Sequence, residues 1–382
     1  MSVPEEVKWC GRILLILLVA LGMGCEERLT ELPKPLQKSA RQQYQRSLEK
    51  EYGAIISQTY ERKARAALRD SVLIQPPYEE YGRVDSFRME AMSYRLSLEW
   101  GQALRVEWGS EVPLLVEAFP ADRLEKPGYQ SERGDTAAWI EVPYDGDFVL
   151  RVQPEWRHAG DYRLRILVEG AYDFPVEGRD NRAIWSKWGD PRDGGKRKHE
   201  GIDIFAKRGT PVRAVAEGRV NRVTNGGRGG KTVWLSDERN GYNWYYAHLD
   251  SQYVEAGTWV DQGAILGTVG NTGNAAKTKP HLHFGMYLNG RGARDPEPFV
   301  RYYKTRFPNL VASAAWAGRY ARVRSSTSTL RTQPARRSEP KETLLRGTRL
   351  RILGATGSYL RVRTPGGRVG FVTASTVRPD EP

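Results

Sequence analysis

Residues 199–203 read His199-Glu200-Gly201-Ile202-Asp203, and residues 280–284 read Pro280-His281-Leu282-His283-Phe284. On an extended strand, side chains two or four positions apart share a face. His199 and Asp203 then converge on one point, with Gly201 leaving the space between them open. His281 and His283 share a second face, while Leu282 and Phe284 turn the other way into a core. Between the two segments, Trp244-Tyr245-Tyr246-Ala247-His248-Leu249 places a further imidazole on a strand-like run. Tyr245 and Tyr246 are expected to point in opposite directions there. The chain has only five histidines in 382 residues, so four of the five fall in these three segments. The fifth, His158, sits in the polar loop Trp156–Gly160 and reads as solvent-exposed. A His-x-His or His-x-x-x-Asp pair alone is weak evidence, because a solvent-facing strand produces both. Their concentration in one short region is what carries chemistry. A His–carboxylate pair completed by a His from a distant strand suits Zn²⁺, which prefers borderline N and O donors in a tetrahedron. Three protein ligands leave the fourth position to water, the arrangement of a catalytic site.

The stretch from about Trp188 to Phe299 closely resembles the lysostaphin/LytM-type zinc endopeptidases of bacterial peptidoglycan. The likeness runs through Trp188-Gly189-Asp190-Pro191-Arg192, His199 to Asp203, Gly209-Thr210-Pro211-Val212, Ala216-Glu217-Gly218-Arg219-Val220 and Tyr246-Ala247-His248-Leu249. It continues through Gly267-Thr268-Val269-Gly270-Asn271-Thr272-Gly273 and His281-Leu282-His283-Phe284. The resemblance implies a small antiparallel β-domain with the metal in a groove across the sheet. It implies His199, Asp203 and His283 as ligands of one Zn²⁺, His248 and His281 as catalytic histidines outside the metal shell, and peptidoglycan as partner. Some LytM-type domains have lost metal ligands and act as non-catalytic regulators of other hydrolases; all five positions are intact here. Asn271 and Asn274, in a Gly-rich loop, read as turn formers.

Outward from this region, the period is two from about Phe87 to Val168. Leu104, Val106 and Trp108 alternate with polar residues, as do Phe148, Leu150 and Val152, and Tyr162, Leu164, Ile166 and Val168. Such strands imply a β-sandwich, loosely resembling accessory domains of secreted peptidases. Earlier, Leu36, Ala40, Tyr44, Leu48 and Tyr52, then Ile55, Ile56, Tyr60, Ala64 and Leu68, read as one amphipathic helix closed by Pro76-Pro77. Packing or spacing is its expected role, with a homo-oligomeric coil as the alternative. Lys8 and Arg12 precede the apolar run Ile13–Leu21 and the small residues before Cys25, the layout of an export signal. It resembles a bacterial lipoprotein signal, which implies lipidation of Cys25, a membrane anchor and a place in the cell envelope. That run is too short to cross a membrane as a helix, which takes about 20 residues.

After Phe307–Trp316, the segments Leu330-Arg331-Thr332-Gln333-Pro334, Leu345-Arg346-Gly347-Thr348, Gly357 to Val362 and Gly367 to Val372 resemble a bacterial SH3-like domain. Such small barrels often attach wall hydrolases to peptidoglycan; Phe371 stands where they often carry Trp. The chain's net charge of +13 is concentrated here. Residues 301–378 hold fifteen Arg and two Lys against Glu339 and Glu342, whereas residues 1–300 balance at zero. A basic module can bind any anionic polymer; a nucleic-acid reading leaves the histidines unaccounted for, and the resemblance implies the wall as partner and no nucleic acid. The two cysteines both precede residue 30, which excludes a disulfide-stapled body and thiolate zinc knuckles. The expected class is mainly β, laid out as a signal peptide (1–24), a helical spacer (25–78), a β-sandwich accessory domain (79–172), a LytM-type zinc peptidase domain (173–306) and an SH3-like wall-binding domain (317–380). Since the metal groove ends near Phe299, removing the chain after about Pro308 is expected to spare cleavage of small substrates.

Overall fold

The computed structural model describes residues 39–303 and 305–380. The expected export signal and the expected lipidation at Cys25 fall outside the described residues. The expected single N-terminal helix is two, Ala40–Tyr52 and Ala54–Arg69, divided at Gly53 with φ +86°. A left-handed φ cannot continue a right-handed helix, and only glycine adopts it without cost. The apolar period runs across the break, so pattern alone could not show the fold-back. The helices meet where Ser57 Oγ donates to the Gln45 carbonyl at 3.2 Å. Their apolar stripe, Tyr44, Leu48, Tyr60 and Leu68, is buried. Tyr60 Oη donates to the Pro154 carbonyl, and the Trp156 N–H donates to Tyr44 Oη. The stripe is thus spent on the β-sandwich of the same chain.

That sandwich has the alternation read in the sequence. One sheet runs in the order Val72–Leu73, Met92–Leu98, Gly146–Pro154, Leu114–Pro120, Tyr129–Gln130. Facing it are Tyr78–Val84, Gly160–Gly170, Gln102–Ser110 and Ala137–Glu141. Leu96, Leu104, Val106, Leu150, Leu164 and Ile166 fill the space between them.

The second sheet does not end at Tyr78–Val84. It continues into the C-terminal strand Arg349–Thr356, with Tyr81 opposite Ala355 and Gly82 opposite Gly354. Val369 and Phe371 of the C-terminal module belong to the sandwich core. Beneath the shared strands, Arg361 Nε and Nη2 each donate to Glu80 at 2.8 Å, and both residues are buried. Tyr78, Tyr94 and Tyr162 hydroxyls donate to the same carboxylate. The C-terminal module therefore shares a sheet and a core with the accessory domain. Its removal, expected from the sequence to spare cleavage of small substrates, would also expose a sheet edge and strip a buried carboxylate of its countercharge.

The remaining sheet carries the histidines. Its order is Ile184–Ser186, Ile202–Phe205, His281–Leu288, Tyr242–Gln252, Gly230–Asp237, Gly218–Gly226, Trp259–Val260. Trp244, Tyr246, Leu282 and Phe284 form its buried face, where Trp244 and Phe284 stack at 5.5 Å. This sheet is seated on the sandwich through Trp100, whose ring meets Phe299 at 5.2 Å and Tyr242 at 6.2 Å.

Candidate metal centre

Strand pairing assembles the centre. Ile202–Phe205 lies antiparallel to His281–Leu288, with Asp203 opposite His283 and Phe205 opposite His281. Alternation puts all four on one face and sends Ile204, Leu282 and Phe284 into the core. His199 arrives differently from the sequence reading. It precedes the strand, and the chain bends at Gly201 instead of running extended from 199 to 203. A Cβ at Gly201 would stand 2.5 Å from the Phe284 carbonyl and 2.8 Å from the His283 ring. The absent side chain thus admits His283, and the bend swings His199 to the same point.

Three donor atoms meet there. His199 Nε2 lies 2.9 Å from His283 Nδ1, and both lie 3.0 Å from Asp203 Oδ1. Metal–nitrogen bonds of about 2.0–2.1 Å in a tetrahedron require donor separations of about 3.3 Å, so the set fits a Zn²⁺-sized ion. The outer atoms are tied down as well. His199 Nδ1–H donates to the Lys187 carbonyl at 2.8 Å, which leaves the Nε2 lone pair facing the centre. Arg192 Nη2 donates to Asp203 Oδ2 at 2.8 Å and to Ser186 Oγ at 2.6 Å. Such outer partners fix the orientation of ligands. Burial disfavours the Asp203 carboxylate, but the adjacent His199 and His283 outweigh it and hold the group below the usual carboxylate range. Burial lowers the His283 imidazole, opposed by Asp203.

His248 and His281 stand beside this set. Their rings lie 5.1 Å apart, and His248 is 5.9 Å from the His283 ring. His281 Nε2 approaches Asp203 Oδ1 only to 4.0 Å. Each donates its Nδ1–H to a backbone carbonyl, His248 to Thr272 at 2.9 Å and His281 to Lys279 at 2.8 Å. Both therefore present a bare Nε2. Burial, then the neighbouring His281 and His283, pushes His248 down to about 4, so it is neutral near pH 7.

His248 reaches the centre through a backbone irregularity. On a regular strand it would share a face with Tyr246, which is fully buried in the core with its hydroxyl accepting from the Val215 N–H. A register shift beside Ala247, together with φ +61° at His248, turns the imidazole to the opposite face. Tyr245 meets His283 edge-on at 5.8 Å, so the two tyrosines do diverge. His158 is exposed and remote from these residues in sequence, as read. Asn271 serves its loop: its Nδ2 donates to the Ala276 and Thr278 carbonyls.

Sequence reasoning did not single out Arg192, Ser186, or the carbonyls of Lys187, Thr272 and Lys279. Arg192 lay inside a recognised segment, but nothing in spacing joined it to Asp203. Among the described residues, His199, Asp203 and His283 are the group whose donors could share an ion.

The family model for peptidase family M23 matches residues 197–296, and that for the bacterial SH3 domain matches residues 326–378. The chain carries one domain of each kind. It is 38% identical over 146 residues to the L-Ala--D-Glu endopeptidase of Bacillus subtilis, covering 35% of this chain and 44% of that one. It is 38% identical over 108 residues to the glycyl-glycine endopeptidase ALE-1 of Staphylococcus capitis, covering 27% and 29%. The chain thus spans less than half the length of these relatives. The catalytic domain of lysostaphin from Staphylococcus simulans aligns over 30% of this chain and 88% of that domain, with 34% identity and a TM-score of 0.27.

Proposed function

We propose that this chain is a zinc-dependent endopeptidase that hydrolyses peptide bonds of bacterial peptidoglycan. His199, Asp203 and His283 hold one Zn²⁺, and His248 and His281 act on substrate and protons. The observation that carries the reading is the trio of donors within 3.0 Å, flanked by two imidazoles with free Nε2 atoms. A bound zinc supplies Lewis acidity and lowers the pKa of water towards about 7.

The chain's own groups supply the rest. The Thr272 and Lys279 carbonyls hold His248 and His281 in one tautomer, so that each Nε2 can accept a proton from the attacking water and return it to the departing amine. Either imidazole, once protonated, can donate to the developing oxyanion. Arg192 orients Asp203 by donating to its outer oxygen. The export-like N-terminus and the wall-acting relatives support a site of action in the cell envelope. The basic C-terminal module supports contact with the anionic polymer.

The test is incubation of the chain lacking residues 1–25 with purified sacculi, followed by mass spectrometry of released fragments. Zinc-dependent release of peptides with new amino termini is expected. Unchanged sacculi, with zinc bound and the protein folded, would refute hydrolysis.

A further inference from the structure

Trp185 is 62% exposed, yet its ring is held in place. Its Nε1–H donates to the Arg182 carbonyl at 3.2 Å, and its face stacks on Phe205 at 4.5 Å and 16°. Phe205 in turn stacks on His281 at 4.9 Å and 27°. Lys279, whose carbonyl fixes His281, places Nζ 5.5 Å from the centre of the indole. Single exposed hydrophobic residues are ordinary. This one is the outer end of a three-ring ladder that finishes on a histidine of the centre, with a cation beside it.

We propose that Trp185 and Lys279 form a subsite for the amino-sugar ring of the glycan strand and the carboxylate borne by its stem peptide. This rests on the peptidoglycan reading above and deepens it by placing the cut close to the sugar. A fixed indole offers a flat apolar surface to the C–H face of a pyranose at little entropic cost. The ammonium group pairs with an acid. Distance sets the position: extended substrate advances about 3.3 Å per residue, so two ring-stacking steps reach two to three units from the reacting carbonyl. A bond one or two residues from the sugar puts the saccharide there, whereas a bond deep in a cross-link puts another amino acid there.

Binding separates these cases without relying on turnover. The full chain with zinc bound and His248→Asn, which tolerates the left-handed backbone, is titrated calorimetrically with a disaccharide–stem peptide and with the same peptide lacking the sugars. The disaccharide should tighten binding about tenfold, equivalent to about 1.4 kcal/mol. Trp185→Ala should abolish that advantage, and Trp185→Tyr should restore part of it. Lys279→Met should weaken binding of the acid-bearing ligand and flatten its salt dependence. Equal affinity for the two ligands would overturn the proposal, as would Trp185→Ala weakening both to the same degree, which would assign the ladder to the peptide. A chain that shows the sugar preference but cuts no sacculi would refute hydrolysis and leave the subsite standing.

Discussion

Replacing Arg361 by Met tests whether the C-terminal module and the sandwich are one folded unit. Arg361 is 3% exposed and Glu80 fully buried, joined by two 2.8 Å hydrogen bonds. Without the guanidinium, Glu80 keeps hydroxyl donors from Tyr78, Tyr94 and Tyr162 but has no countercharge. Breaking a buried pair costs about 3–5 kcal/mol, and the three hydroxyls place this case near the lower end, about 3 kcal/mol. Urea unfolding followed by tryptophan fluorescence and by far-UV circular dichroism should show both transitions moving together. At a slope of about 2.5 kcal/mol/M, the midpoint should fall by about 1.2 M. Glu80→Gln combined with Arg361→Met should recover more than half of the loss, because no charge is then stranded. A loss below about 1 kcal/mol, or an early melt confined to the C-terminal module, would refute the shared-core argument. The same logic bears on truncation after Pro308, which should slow wall digestion partly by destabilising the sandwich.

His283→Ala and Asp203→Ala should each abolish stoichiometric zinc measured by elemental analysis, whereas His248→Asn and His281→Ala should keep the metal and lose about 10²–10⁴-fold in turnover; zinc loss in His248→Asn equal to that in His283→Ala would reverse the division of roles. Arg192→Ala should weaken zinc affinity about 10–100-fold in a competition titration with a chromogenic chelator, while an unchanged affinity would make Arg192 a bystander. Chelation should end activity with little change in the far-UV spectrum, since the core around Trp244 and Phe284 needs no metal. Stability should be flat from about pH 7 to 10 and fall at both extremes, the acid side beginning near 6.5, where His248, held down to about 4 by burial, is protonated only in the unfolded chain. Burial opposes ionisation of Glu80, but Arg361 wins and lowers its pKa below the ordinary 4.5, so its contribution is present above about 4.5 and lost as pH falls through the lower folded value. Burial raises Tyr78, Tyr94 and Tyr162 well above 10, so their contribution is complete below about 10 and lost in stronger alkali. Thermal midpoints from pH 3 to 11 check both edges.

The sequence by itself drew attention to the residues of the centre. Four histidines and one aspartate in three short runs suited a metal, because residue type decides what can bind one, and a family resemblance supplied the roles expected of each. Period-two alternation named the sandwich, because a half-buried strand leaves no other pattern. The tertiary structure decided what depends on backbone path and long-range pairing. An unbroken strand would put His248 on the core side with Tyr246, and a register shift with a left-handed residue brings it to the face of the other histidines. The stripe from Ala40 to Leu68 looked like one helix, because periodicity does not register the φ of Gly53. Arg361 read as part of a basic surface, yet it is buried against Glu80, 281 positions away. Charge composition counts side chains without locating their partners, and a buried ion pair joining the two ends of a chain exists only once a shared sheet has brought them together.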